Sequence, residues 1–179
     1  MSVHDQELSE QEYRDLLTRR HLTDAVLRQP LRHLRIPQPV CVSPDATLQE
    51  TVEKMRNARV GAVLVTDPAA GRLSGIFTER DLLLRVAGRG WDFRGHRMAE
   101  VMTPDPSCLS PDERIGFVLS MMLTHGFRHI PVLDESGLPT GIVSQRFLLG
   151  YLCEYFPEDV LNQPPRSVLV APPTERHGG

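Results

Sequence analysis

Ser43-Pro44-Asp45-Ala46-Thr47-Leu48-Gln49-Glu50-Thr51-Val52-Glu53-Lys54-Met55 and Ser110-Pro111-Asp112-Glu113-Arg114-Ile115-Gly116-Phe117-Val118-Leu119-Ser120-Met121-Met122 are two versions of one phrase. They stand 67 residues apart, and the same offset lays Cys41 on Cys108, Val65 on Val132 and Asp67 on Asp134. After one deletion the offset becomes 66, and Gly75-Ile76-Phe77-Thr78-Glu79-Arg80-Asp81-Leu82-Leu83 lies over Gly141-Ile142-Val143-Ser144-Gln145-Arg146-Phe147-Leu148-Leu149. Two copies of one unit fill residues 36–150. A period of this length marks a module too small to bury its own apolar face, which must stack on its neighbour.

Within each copy the apolar spacing is that of a helix face: Leu48, Val52 and Met55, then Ile115, Leu119 and Met122. Asp45 and Thr47, with Glu50 three residues past Thr47, form an N-terminal capping signature, and the helices should stop near Ala58 and His125. Gly61-Ala62-Val63-Leu64-Val65-Thr66 and Arg128-His129-Ile130-Pro131-Val132-Leu133 read as strands, each ended by an Asp and a Gly-containing turn. Second strands follow at 73–77 and 140–143 and run into helices at 79–86 and 145–155. With a short strand at 40–42 or 107–109, each unit is β-α-β-β-α. The expected fold is α+β, two repeats packed sheet to sheet with helices outside. Residues 1–35 read as a helical extension, broken near Gln29-Pro30, 36–88 as the first repeat, and 89–101 as a linker holding the single Trp. Residues 102–156 read as the second repeat and 157–179 as a Pro-rich, disordered tail.

The chain has 179 residues, 40% hydrophobic and 24% charged, which suits a soluble globular protein with one shared core. A net charge of −3 argues against a nucleic-acid polymer or a membrane surface as the main partner. Lys54 is the only lysine, so the cations are almost all arginine, permanently charged and planar. Cys41, Cys108 and Cys153 are odd in number, have no CxxC spacing, and follow no signal-like N-terminus; a reducing cytoplasm is expected. No His or Cys pair has the spacing of a zinc ligand set, and no nucleophile-and-base motif suggests an enzyme.

Read on spacing alone, Thr78 and Asp81 open a helix that follows a strand. They can be an N-cap with its acidic N3 partner, or a hydroxyl and carboxylate offered to a phosphate and a vicinal diol. The repeated SPD phrases, AEVMTPDP, FRHIPVLD, GIFTERDLL and GIVSQRFLL together resemble the cystathionine-β-synthase (CBS) domain pair, the Bateman module, over most of the chain. The resemblance implies a regulatory sensor that binds adenosine-containing ligands between its repeats.

On that resemblance Asp81 takes the ribose, while Thr78, Arg128 and His129 take the phosphate. Ile76 and the backbone around Pro106 and Ser107 would line the adenine. The symmetry-related site carries Phe147 where the first copy has Asp81, and Gly61 and Ala62 where the second has Arg128 and His129. Both halves lack their polar groups, so one nucleotide per chain is expected, AMP before ADP or ATP. S-adenosylmethionine or NAD are alternatives, as is a ligand-independent scaffold. No cofactor is expected, and the regulated partner is a separate, unknown protein. The run Leu82-Leu83-Leu84 and the pair Leu148-Leu149 with Tyr151-Leu152 exceed what one core needs, which suggests a homodimer.

Overall fold

Thr47 begins the first helix as the spacing predicts. Its hydroxyl accepts from the Glu50 amide at 3.1 Å, and the Glu50 carboxylate accepts from the Thr47 amide at 2.8 Å. These two bonds satisfy amides that a helix start leaves orphaned. The Thr47 amide, with the Thr47 hydroxyl donating to the same oxygen at 2.8 Å, holds the Glu50 carboxyl below its ordinary range. The structure, a computed structural model, describes residues 24–155 together with Gln11 and Arg14. The helical reading of residues 6–23 and the tail beyond 155 lie outside these residues, Gln11 and Arg14 apart.

The order of elements is β1 (Cys41–Val42), α1 (Leu48–Ala58), β2 (Ala62–Thr66), β3 (Leu73–Thr78), α2 (Glu79–Asp81) and a widened π-helical turn (Leu82–Val86). Then come α3 (Met98–Val101), β4 (Thr103–Pro104), α4 (Ile115–His125), β5 (His129–Leu133), β6 (Pro139–Ser144) and α5 (Gln145–Tyr155). β1 runs parallel to β2, which pairs antiparallel with β3 and β3 with β4; β5 and β6 form an antiparallel pair. The two hairpins are copies in detail. Each shifts register at the same step, Val65/Thr66 and Val132/Leu133, and the one-residue deletion falls in the turn between strands.

Strand alternation sorts the residues of β2. Val63 and Val65 pack with Leu48 and Met55 of α1, whereas Ala62 and Leu64 pack with Ile76, and Ile142 of β6 lies against them. One set makes the helix–sheet core and the other the contact between sheets. Val63, Leu64 and Val65 have no exposed surface, and each such side chain contributes about 1.5–3 kcal/mol by leaving water. On the helices the buried positions are Leu48, Thr51 and Met55, and Ile115, Val118 and Met122. Val52 and Leu119, read from spacing as part of the face, are only partly buried. Thr51 is tolerated inside because its hydroxyl donates to the Thr47 carbonyl at 3.0 Å.

The predicted strand 107–109 shrinks to one parallel bridge, Leu109 to Val132. The cause is chemical. In the first copy the Leu64 amide donates to the Val40 carbonyl at 2.9 Å. The equivalent residue in the second copy is Pro131, which has no N–H for the Ser107 carbonyl, so pairing resumes only at Leu109.

β4 was not foreseen, and it shows how the copies interlock. Thr103 and Pro104 follow the stretch read as a linker, yet they extend the first copy's sheet beside β3. At the matching place the Pro37 carbonyl accepts from Ile142 of β6 at 3.3 Å. Upstream, the Met98 amide donates to the Ala46 carbonyl and the Leu48 amide to the His96 carbonyl; correspondingly, Leu31 donates to Glu113 and Ile115 to Gln29. Residues 30–37 and 97–104 are thus equivalent parts of the fold, each docked on the repeat it does not lead into. Gly75 and Gly141 permit the crossing: a Cβ on Gly75 would come within 2.6 Å of the Met102 sulfur, and one on Gly141 within 2.6 Å of Ile36 Cγ2.

In the stretch 89–97 the Trp91 ring stacks on His96 at 4.2 Å, and His96 Nδ1 meets a Glu100 carboxylate oxygen at 2.8 Å. Residues 146–155 form a helical unit of their own, in which the Tyr151 hydroxyl donates to Tyr155 and its pKa is pushed up to about 12, chiefly by desolvation. Among the apolar residues read as a dimer face, Leu83, Leu84 and Leu149 are exposed, but Leu82 packs against the first repeat's core and Leu148 is fully buried.

Candidate functional site

β3 ends at Thr78 beside the first residues of β5, and the antiparallel pairing of β5 with β6 presents Arg128 and His129 at that end. The chain leaving β4 passes the same place. A cavity of roughly 330 Å³ opens there, lined by Ile76, Thr78 and Asp81 of the first copy and by Pro106, Ser107, Arg128 and His129 of the second. All seven residues singled out from sequence face one space, of a size typical of small-molecule clefts.

Asp81 and Thr78 are bound to each other first. Asp81 Oδ2 accepts from the Thr78 amide at 3.0 Å and the Thr78 hydroxyl at 2.7 Å, and the Asp81 amide donates back to Thr78 Oγ1 at 3.2 Å. Both readings of the pair therefore meet at one place, since the cap fixes the carboxylate at the cavity wall. The Thr78 hydroxyl donates to Asp81 and so holds the carboxylate in place. Asp81 Oδ1 faces the Arg85 guanidinium, 3.2 Å from its Nε, and keeps a lone pair for a further donor.

His129 is shifted away from its cationic form. Burial lowers its pKa, with Arg128 and Arg80 acting the same way and Glu79 opposing them. The imidazole therefore offers one N–H donor, and Arg128 supplies the permanent positive charge. The start of β5 is held by the Gln145 amide, which donates to the Arg128 carbonyl at 3.0 Å, and by Gln145 Nε2, which donates to the Phe127 carbonyl at 3.1 Å.

Glu79, Arg80, Thr103, Asp105 and Phe127 also line the cavity and were not foreseen. Glu79 and Arg80 stand in the same phrase as Thr78 and Asp81, but spacing does not fix the direction of long side chains in a first turn. Arg80 spans the copies, its Nη1 donating to the Gly126 carbonyl at 2.9 Å, where α4 ends. Asp105 has φ of 44°, a left-handed conformation that a non-glycine residue rarely takes, and it turns the chain at the rim. Gly61, read as part of the second cleft, lines this first one instead; Ala62 is buried between the sheets. Phe147 lies in the helical unit 146–155.

Among the described residues no three His, Cys, Asp or Glu side chains cluster to hold a metal ion, and no helix is long and apolar enough to cross a membrane. Burial raises the pKa of the Cys41 and Cys108 thiols, against the character of a nucleophile.

The CBS domain family model matches residues 31–88 and 98–152, the two copies together with their crossing segments. The "Meiotically up-regulated gene 70 protein" of Schizosaccharomyces pombe is 37% identical over 122 residues, 68% of this chain and 16% of that protein. The CBS domain-containing protein YhcV of Bacillus subtilis is 33% identical over 107 residues, 60% of this chain and 74% of its own. Several curated relatives are thus far longer than the matched part. Of solved structures, the CBS-domain containing protein ATU1752 of Agrobacterium tumefaciens is 31% identical with a TM-score of 0.62, covering 69% of this chain and 98% of that one. The CBS domain of a membrane protein from Sphaerobacter thermophilus is 27% identical with a TM-score of 0.65, covering 77% and 96%. At 18% identity and a TM-score of 0.63, the CBS pair of MJ0100, solved with 5′-methylthioadenosine and S-adenosyl-L-methionine, shares the fold and covers 71% and 98%.

Proposed function

The chain belongs to the CBS domain family as a tandem pair, and from that premise we propose that it is a regulatory module, not an enzyme, that binds one adenosine nucleotide in the cleft between its repeats. One observation carries the reading: the Asp81 carboxylate of one copy and the Arg128–His129 pair of the other line the same cavity. The Asp81 carboxylate keeps an oxygen that can accept from a ribose hydroxyl, and a guanidinium forks onto phosphate oxygens. The charge balance favours AMP over ADP or ATP. Arg80 is committed to the Gly126 carbonyl, His129 is held toward its neutral form, and Glu79 adds a negative charge, which leaves Arg128 to meet about one phosphate. The same guanidinium disfavours the sulfonium of S-adenosylmethionine.

Thermal denaturation with and without AMP tests this. At a hundred times the dissociation constant a ligand adds about 2.7 kcal/mol to folding stability, and a rise in Tm should be seen. Asp81→Ala should abolish most of the shift, and Arg128→Ala should remove the preference for AMP over adenosine. No shift with AMP, ADP, ATP, NAD or S-adenosylmethionine would leave the scaffold reading, in which a separate effector protein recognises the paired repeats directly. A stoichiometry of two equal sites by calorimetry would overturn the single-site form, which rests on Phe147 standing in place of the diol carboxylate.

A further inference from the structure

We propose that Arg85 is a positioning residue for this cleft, holding the Asp81 carboxylate in register with the strand segment on the opposite side of the cavity. The inference rests on the reading of Asp81 as a diol acceptor. Arg85 lies on the π-helical turn Leu82–Val86, one helical turn past Asp81, and does not line the cavity itself. Its guanidinium divides between two structures. Nε meets Asp81 Oδ1 at 3.2 Å, while Nη1 donates to the Met102 carbonyl at 3.2 Å and, at longer range, to the Val101 carbonyl at 3.4 Å. Met102 is the residue before β4, and Thr103, Asp105, Pro106 and Ser107 line the cavity from that strand onward.

One rigid, planar group therefore links the carboxylate that would take the ribose to the backbone that would take the base. Its contribution is to the distance between them. Asp81 Oδ2 is already fixed by the Thr78 cap, so Arg85 sets the remaining oxygen. It also balances the Asp81 charge in a cavity wall that includes Glu79. A lysine cannot do both jobs, because a single ammonium has no fork to reach a carboxylate and two carbonyls at fixed angles.

The test is the preference for a vicinal diol, measured by titration calorimetry with AMP and 2′-deoxy-AMP. The wild-type chain should prefer AMP by about tenfold or more, as expected for loss of a hydroxyl bonded to a charged group. Arg85→Gln should reduce that ratio to about threefold or less, and Arg85→Lys should give an intermediate ratio. Weakening of both ligands by the same factor would indicate a merely structural role and overturn the inference. An unchanged ratio in either variant would also overturn it while leaving the cleft reading intact. If the wild-type chain binds AMP without diol preference, or does not bind it, the reading of Asp81 fails and the inference fails with it. Where Arg85→Gln does not fold by circular dichroism, the ratio in Arg85→Lys decides.

Discussion

Asp81 has a local task before it has any ligand, because its carboxylate closes a cap with Thr78 and pairs with Arg85. Asp81→Asn keeps the shape and one acceptor oxygen but removes the charge. It should leave the melting temperature within a few degrees of wild type while weakening AMP binding by tenfold or more, for loss of a charge-assisted bond. His129 gives a pH dependence of known sign. Its folded pKa lies below that of the free side chain, so between the folded value and about 6.5 the unfolded chain binds more protons. Stability should therefore fall as pH drops below about 6.5, and His129→Gln should flatten that part of a plot of Tm against pH. Glu79, Arg80 and Arg128 are the charged groups around it. Of the residues named for this site, Thr78 and Asp81 were legible from spacing, whereas Ile76, Pro106, Ser107, Arg128 and His129 came from the resemblance of the phrases that hold them. Glu79 and Arg80 escaped notice because several rotors separate their charges from the backbone, and Asp105 because its left-handed turn depends on how β4 leaves the sheet.

At the level of elements, local chemistry was legible wherever it closes within a few residues. The Thr47–Glu50 box is such a case, and Thr47→Ala should cost about 1 kcal/mol in chemical denaturation, with ligand affinity unchanged. Pairing between distant segments was not legible in the same way. Periodicity shows that 40–42 and 107–109 are strand-like, but only the partner, Leu64 in one case and Pro131 in the other, decides whether a ladder forms. β4 was missed because two residues, one a proline, carry no alternation to read. The signal that was available lay in the repeat itself, since Pro37 and Pro104, like Pro39 and Pro106, keep the 67-residue offset upstream of the matched phrases. Gly141→Ala tests the crossing directly. A methyl group there meets Ile36, and the expected loss is about 1–3 kcal/mol, with partial recovery in the double variant Gly141→Ala/Ile36→Ala.

Across the whole molecule, the exposed leucines at 83 and 84, 68% and 66% accessible, are more apolar surface than one turn of a monomer needs to present. We expect a homodimer through that turn. Light scattering at micromolar concentration should give twice the chain mass, and Leu83→Glu with Leu84→Glu should halve it while leaving the circular dichroism spectrum unchanged. The mutual docking of residues 30–37 and 97–104 has a different consequence, one of connectivity. Neither repeat carries its own edge or its own helix-start partner, so dividing the chain near Gly90 would separate each half from pieces that complete it. Two such fragments, each insoluble or unfolded when expressed alone, should regain the native fold on mixing. That outcome would make the peptide link dispensable for the architecture and the chain a covalently tethered heterodimer of its own halves.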